Sequence, residues 1–315
     1  MISITTAPEI WMARIAAFVF GLAFGSFLNV CIYRLPRGMS VVHPRSACPG
    51  CGAPVRSSDN IPVVSWLLLR GKCRDCKNPI SIRYPIVELL NALLWLACIW
   101  HFGAGWAGIK FCVFSFLILG LIFTDADLKL LPDAMTLPGF WLGLLFSLLI
   151  PVDGPADLFV MMNPRTHYNS YLSPFVLVRL FSLVNALVGA AVGALFIWGV
   201  GALYKRIRGM EGMGFGDVKL MAMAGAFLGW ELTMLTIVLG SLTGSVAGFS
   251  AMAEVYLKRK RRYAGRIDGH SKALHTAKLI MRHYQMPFGV FLGAMALFSF
   301  FFGERLVIWY MRLFL

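Results

Sequence analysis

The chain has 315 residues, of which 58% are hydrophobic and 14% charged, with a mean hydropathy of +0.73 and a formal net charge of +14. Soluble domains carry about 25% charged residues, so an ordinary soluble fold is excluded and the chain reads as an all-α polytopic membrane protein. The surplus positive charge sits in loops beside apolar runs, where it fixes topology and meets membrane lipid; no recognition module accompanies it, which argues against nucleic acid as a partner.

The first apolar run, 10–31, is long enough for the ~20 residues that cross a hydrocarbon core. It passes Gly21, Gly25, Ser26 and Asn29 directly into a basic segment without an A-x-A-like site, so 1–33 reads as a retained first transmembrane helix and not a cleaved signal. The following segment, 34–85, carries Cys48-Pro49-Gly50-Cys51-Gly52 and Cys73-Arg74-Asp75-Cys76, two C-x2-C pairs separated by 21 residues. This is close to the spacing of four-cysteine zinc sites, in which two knuckles converge on one tetrahedral ion. Cys48, Cys51, Cys73 and Cys76 are therefore the expected ligands of a structural zinc, because four thiolates leave no open position for water. Two disulfides are the alternative, disfavoured in a reducing compartment. Cys31, Cys98 and Cys112 lie in or beside apolar runs and read as small core residues.

Further apolar runs follow at 86–103, 108–124, 135–150, 180–203, 217–230, 233–256 and 287–303, giving about eight transmembrane helices; the short, Gly-rich 217–230 run suits a helix packed inside the bundle. Within this 86–315 region, 151–179 is expected to be an external loop and 257–286 a basic cytoplasmic one. Nine Lys/Arg fall from Arg34 to Arg83 and nine from Lys258 to Arg282, against few in the alternate loops, so the positive-inside rule puts both segments in the cytoplasm and both termini outside.

Two acids stand at the edges of these spans: Asp125, after the apolar 111–124, and Asp217, closing Gly214-Phe215-Gly216-Asp217. Charge at membrane depth is costly and marks function by default. The topology puts both carboxylates at the same membrane face. If they meet, they cannot both ionise; one holds a proton while the other acts as base, and together they can activate water against a peptide carbonyl. Gly214 and Gly216 would let backbones approach around Asp217. A helix cap remains the plain reading of Asp217, as it is of Asp133 behind Pro132, while Asp127 reads as a solvated loop residue.

The chain resembles the type IV prepilin peptidases, membrane aspartic proteases of the G-x-G-D class that are also N-methyltransferases. The resemblance runs through Gly25-Ser26-Phe27-Leu28-Asn29-Val30 with Arg34-Leu35-Pro36, the two cysteine pairs, Arg83-Tyr84-Pro85 with Glu88, and Asp125 through Leu131-Pro132-Asp133. It continues through Glu211-Gly212-Met213-Gly214-Phe215-Gly216-Asp217-Val218-Lys219-Leu220 and Pro287-Phe288-Gly289. The family often continues Pro-Phe-Gly with a second proline; this chain has Val290.

The resemblance implies that Asp125 and Asp217 are the catalytic pair and that prepilins or pseudopilins are the substrates. It also implies S-adenosylmethionine as methyl donor, and a multi-pass location in the inner membrane with zinc domain and active site facing the cytoplasm. Glu88 and Asn29 are candidates for substrate or methyl-donor contact, or else members of an interhelical polar cluster with Arg34 or Arg83. A proton-coupled transporter and a non-catalytic zinc-bearing scaffold are the competing classes; no inverted repeat supports the former.

Overall fold

The computed structural model describes residues 7–151, 174–209, 214–263, 271, 274–276, 279 and 286–313. Most of the expected loops at 151–179 and 257–286, together with Glu211, Gly212 and Met213, lie outside them. The described residues form helices α1 (Ala7–Arg34), α2 (Val64–Leu68), α3 (Arg83–Phe102), α4 (Trp106–Leu128), α5 (Asp133–Leu149), α6 (Pro174–Arg208), α7 (Phe215–Arg262) and α8 (Phe288–Met311), with two short 3-10 turns. Among the described residues no strand occurs, only two isolated bridges in the cysteine segment.

Among the described residues, six helices are long and apolar enough to cross a membrane: Pro8–Arg37, Arg83–Phe102, Trp106–Leu128, Val176–Arg208, Phe215–Arg262 and Phe288–Tyr310. The seventh apolar helix, α5, has 17 residues and a proline, Pro138, inside it. The eight apolar runs of the sequence thus form seven long helices, because α7 holds two of them. Its break is at Gly229 (φ 75°, ψ 175°), a backbone state that favours glycine, and a side chain there would also meet the Asn185 amide at 2.7 Å. Asn185 Oδ1 accepts the Trp230 N–H (3.1 Å), satisfying a donor that the interrupted helix leaves free. Residues 215–228 rise only ~21 Å, too little to cross the ~30 Å hydrocarbon layer. Their burial, from Leu220 to Leu228, is that of a helix enclosed by the bundle.

Small residues set the tightest packing. A side chain at Gly21 or Gly25 of α1 would come within 2.6–2.7 Å of the α3 backbone at Ala92 or Glu88, and one at Gly189 of α6 within 2.6 Å of the Gly225 carbonyl of α7. Such close approaches are how helices associate where lipid tails remove any hydrophobic drive between them. Away from the acidic end, Phe102, Phe111 and Phe300 form a ring cluster with centroids 4.4–5.1 Å apart, extended by Phe114 onto Phe227. Bulky apolar residues such as Trp11, Ile15 and Phe249 face outward, as expected of surfaces turned to lipid.

Candidate active site and metal centre

Asp125 lies in the last turn of α4 and Asp217 in the first turn of α7; each is over 90% buried, with 5% and 8% exposure. The two helix ends lie at one end of the bundle, both within reach of Leu131 in the α4–α5 connection. The start of α8 completes the arrangement. Val290 N–H donates to Asp125 Oδ2 (3.0 Å), and a Cβ built on Gly289 would stand 2.9 Å from that oxygen, so the carboxylate fits only because residue 289 lacks a side chain. Gly216 has a different neighbour: a Cβ there would lie 3.0 Å from Leu131 Cβ. Leu131, in the α4–α5 connection, also comes within 3.2 Å of the Gly289 Cβ position, so one apolar side chain touches the backbone beside both carboxylates. Gly214 is the N-cap residue of α7, and its carbonyl accepts the Asp217 N–H (3.2 Å).

The neighbouring acids are taken by cations. Asp127, expected to be solvated, is in the final turn of α4 and paired with Arg83. Asp133 does not cap α5 through its side chain: Pro132 occupies the N-cap, and Asp133, the first helical residue, accepts from Lys219 Nζ (2.6 Å). These pairs tie α3 to α4 and α5 to α7 around the two buried carboxyls.

The cysteine segment is built from two similar knuckles. In the first, Cys48 N–H donates to Ala53 O (2.9 Å) and Gly52 N–H to Cys48 O (2.8 Å); in the second, Cys73 N–H donates to Asn78 O (2.8 Å) and Lys77 N–H to Cys73 O (3.1 Å). The left-handed position is Gly52 in one and Lys77 in the other. The four sulfurs lie within 4.8 Å of one another, and Cys48 and Cys76 are 3.7 Å apart. A tetrahedral zinc with bonds of ~2.3 Å requires sulfurs ~3.8 Å apart, so the donor set fits.

The thiols are unequal. N–H groups of Gly50 and Cys51 hold Cys48 down to about 7. The Asn78 N–H favours the Cys76 thiolate in the same way, but desolvation and the three neighbouring thiols outweigh it and push Cys76 up to about 12. Four thiolates at this spacing need a divalent cation among them.

Residues 19–102 match the family model described as the bacterial peptidase A24 N-terminal domain, and residues 111–249 match that of the type IV leader peptidase family. The chain is 33% identical to a prepilin leader peptidase/N-methyltransferase of Aeromonas hydrophila over 97% of its own length and 96% of that protein. It is 39% identical to one from Pseudomonas aeruginosa (72% of this chain, 77% of that protein) and 38% to one from Neisseria gonorrhoeae (73% and 79%). The chain belongs to the type IV leader peptidase family. No solved structure shows a significant match to it.

Within this leader peptidase family member, Cys48, Cys51, Cys73 and Cys76 fall in the first matched region and both buried aspartates in the second. Glu88 and Asn29 occupy the α1–α3 seam. Glu88 pairs with neither Arg34 nor Arg83; its Oε2 accepts the Val63 N–H (2.7 Å) from the cysteine segment, and the Ser26 hydroxyl bonds to it from α1. Asn29 Nδ2 donates to Tyr84 O (3.0 Å), and its buried Oδ1 has no partner among the described residues.

Sequence reasoning assigned no role to Gly289, Val290, Leu131 or Val63. Gly289 lay in a quoted motif, so its presence was visible though its contact was not. The Val290 bond is made by a backbone N–H that proline would lack.

Proposed function

We propose that this protein cleaves the basic leader from prepilins or pseudopilins with Asp125 and Asp217 as an acid–base dyad, and methylates the new N-terminus. The observation that carries the reading is two carboxylates from separate helices, both buried at one end of the bundle, with Gly289 against Asp125 and Leu131 against the glycines beside each acid. One carboxylate takes a proton from water as the other donates one to the scissile carbonyl, and their roles reverse as the amine departs. The Val290 N–H orients the Asp125 carboxylate, leaving its remaining lone pairs for water.

By the positive-inside rule, the basic segments support a position for this end of the bundle and the cysteine segment at the cytoplasmic face of the inner membrane. There a precursor whose apolar helix has entered the bilayer presents its leader junction. Basic loops repel a basic leader, so recognition rests on the apolar helix. The chain is organised as the first helix, a cysteine module at 34–85 and a protease bundle at 86–315. The four cysteines hold a structural zinc that organises the module.

Methylation rests on the names of the relatives. S-adenosylmethionine carries a sulfonium, an ammonium and one carboxylate. The cavity beside the cysteine segment is lined by two arginines and no acid, which does not match that net positive donor.

Co-expression with a prepilin, followed by mass measurement of the product N-terminus, tests the proposal. Wild-type protein yields a cleaved, methylated product. Asp125→Asn and Asp217→Asn protein each leave the precursor intact while inserting normally. Cleavage by either variant refutes the dyad.

A further inference from the structure

A cavity of about 290 Å³ beside the C-terminal end of α1 takes no part in the chemistry above. Its walls include Val30 and Arg34 of α1 together with Arg45, Ser46, Ser57 and Asn60 of the cysteine segment. Arg34 is the decisive residue. It is 8% exposed, and its two terminal nitrogens donate to the carbonyls of Ser40 (2.9 Å) and Pro44 (2.7 Å). Those bonds satisfy N–H groups but not the charge: among the described residues no carboxylate lies within 4.0 Å of it.

A buried cation without a counter-ion is costly, and the cavity it lines adds a second arginine and no acid. Two hydroxyls and an amide supply neutral donors around the pair. Such a set, rigid guanidinium forks with short polar side chains, suits a tetrahedral oxyanion better than a planar or cationic ligand. Position adds a second argument. Arg34 is near the end of the membrane-spanning stretch Pro8–Arg37, where a crossing helix meets the head-group layer, and Val30 lies one turn nearer the hydrocarbon.

We propose that this cavity is a binding site for a phosphate-type anion, held between Arg34 and Arg45. The same chemistry has two sources, the head group of an anionic phospholipid or free phosphate.

The full-length protein, purified in uncharged detergent, is titrated in three arms. These are phosphatidylglycerol in mixed micelles, phosphatidylcholine in the same micelles, and inorganic phosphate, each read by native mass spectrometry and by the shift of the thermal midpoint. Saturable binding of phosphatidylglycerol but not phosphatidylcholine upholds the site with a lipid source. Saturable binding of inorganic phosphate upholds it with a free anion.

Arg34→Gln and Arg45→Gln should each weaken binding about tenfold, the worth of one charge-assisted bond. Arg45 is exposed, so Arg45→Gln keeps the test valid if Arg34→Gln disturbs the 38–44 turn. Unchanged binding in the Arg45→Gln protein, or saturable binding of neither phosphatidylglycerol nor phosphate by the wild type, overturns the proposal.

Discussion

The helical bundle and the cysteine segment solve opposite problems. In the bundle, burial is plentiful and the difficulty is to admit charge: Asp125 is housed because Gly289 makes room for its carboxylate, and cations neutralise the neighbouring Asp127 and Asp133. In the cysteine segment, burial is scarce. Within 35–82 only Ser65, Gly71 and Cys73 are buried, and order comes from knuckle turns, the Trp66–Ile80 bond and the Asp59–Arg74 pair. A region held by packing responds to volume, whereas one held by cross-links responds to loss of a link.

The largest effect expected is on the dyad. Asp125→Asn or Asp217→Asn should lower cleavage at least ~10³-fold, because the members of an acid–base unit fail together, with the thermal midpoint near that of the wild type. A pre-cleaved pilin with labelled methyl donor then asks whether methylation survives in Asp217→Asn; if it does, the two regions carry separate chemistries.

Next in size is the metal. Double Cys→Ser at Cys48 and Cys51, or at Cys73 and Cys76, should unfold the segment and remove bound zinc, measured by metal analysis. Methylation should fall further than cleavage, and equal losses of both would erase the functional contrast. Gly289→Ala ranks third: a methyl 2.9 Å from Asp125 Oδ2 must displace the carboxylate, for a loss of about 10²-fold in cleavage with little change in precursor binding.

The smaller effects concern ion pairs. Hydrogen bonds and charge from Arg74 hold the Asp59 carboxyl below its ordinary range, so this pair stabilises the segment above that range and is lost as pH falls through the depressed value. Arg74→Gln should remove that part of the acid sensitivity, monitored by Trp66 fluorescence. Asp133→Asn is the mildest change; its pair with Lys219 is largely solvated and worth about 0–1 kcal/mol, so cleavage should stay within a few-fold of wild type.

The features legible in the sequence were those with a local signature: apolar length for the helices, C-x2-C spacing for the sulfur cluster, and acids at span edges for Asp125 and Asp217. The break at Gly229 showed only as a boundary between two runs, since nothing nearby in sequence reveals that Asn185 bridges it. Asp133 failed as a cap because Pro132 took the capping position and a lysine 86 residues away took its carboxylate. Glu88 announced a buried acid, but its partner is the backbone of Val63, whose N–H no side-chain pattern can betray. In each case the missing information was a long-range contact, through a backbone N–H at Trp230 and Val63 and through a side chain at Lys219.

Leu131 has a mechanical consequence. Its side chain bears on the backbone next to both aspartates, at Gly216 and Gly289, so an apolar residue and not a polar strut separates those two backbones. Such a spacer carries no charge into the reaction. Replacing it with a smaller or larger residue would reset the spacing of the Gly216 and Gly289 backbones while leaving the acids chemically unaltered, which makes position 131 a calliper for the proposed dyad.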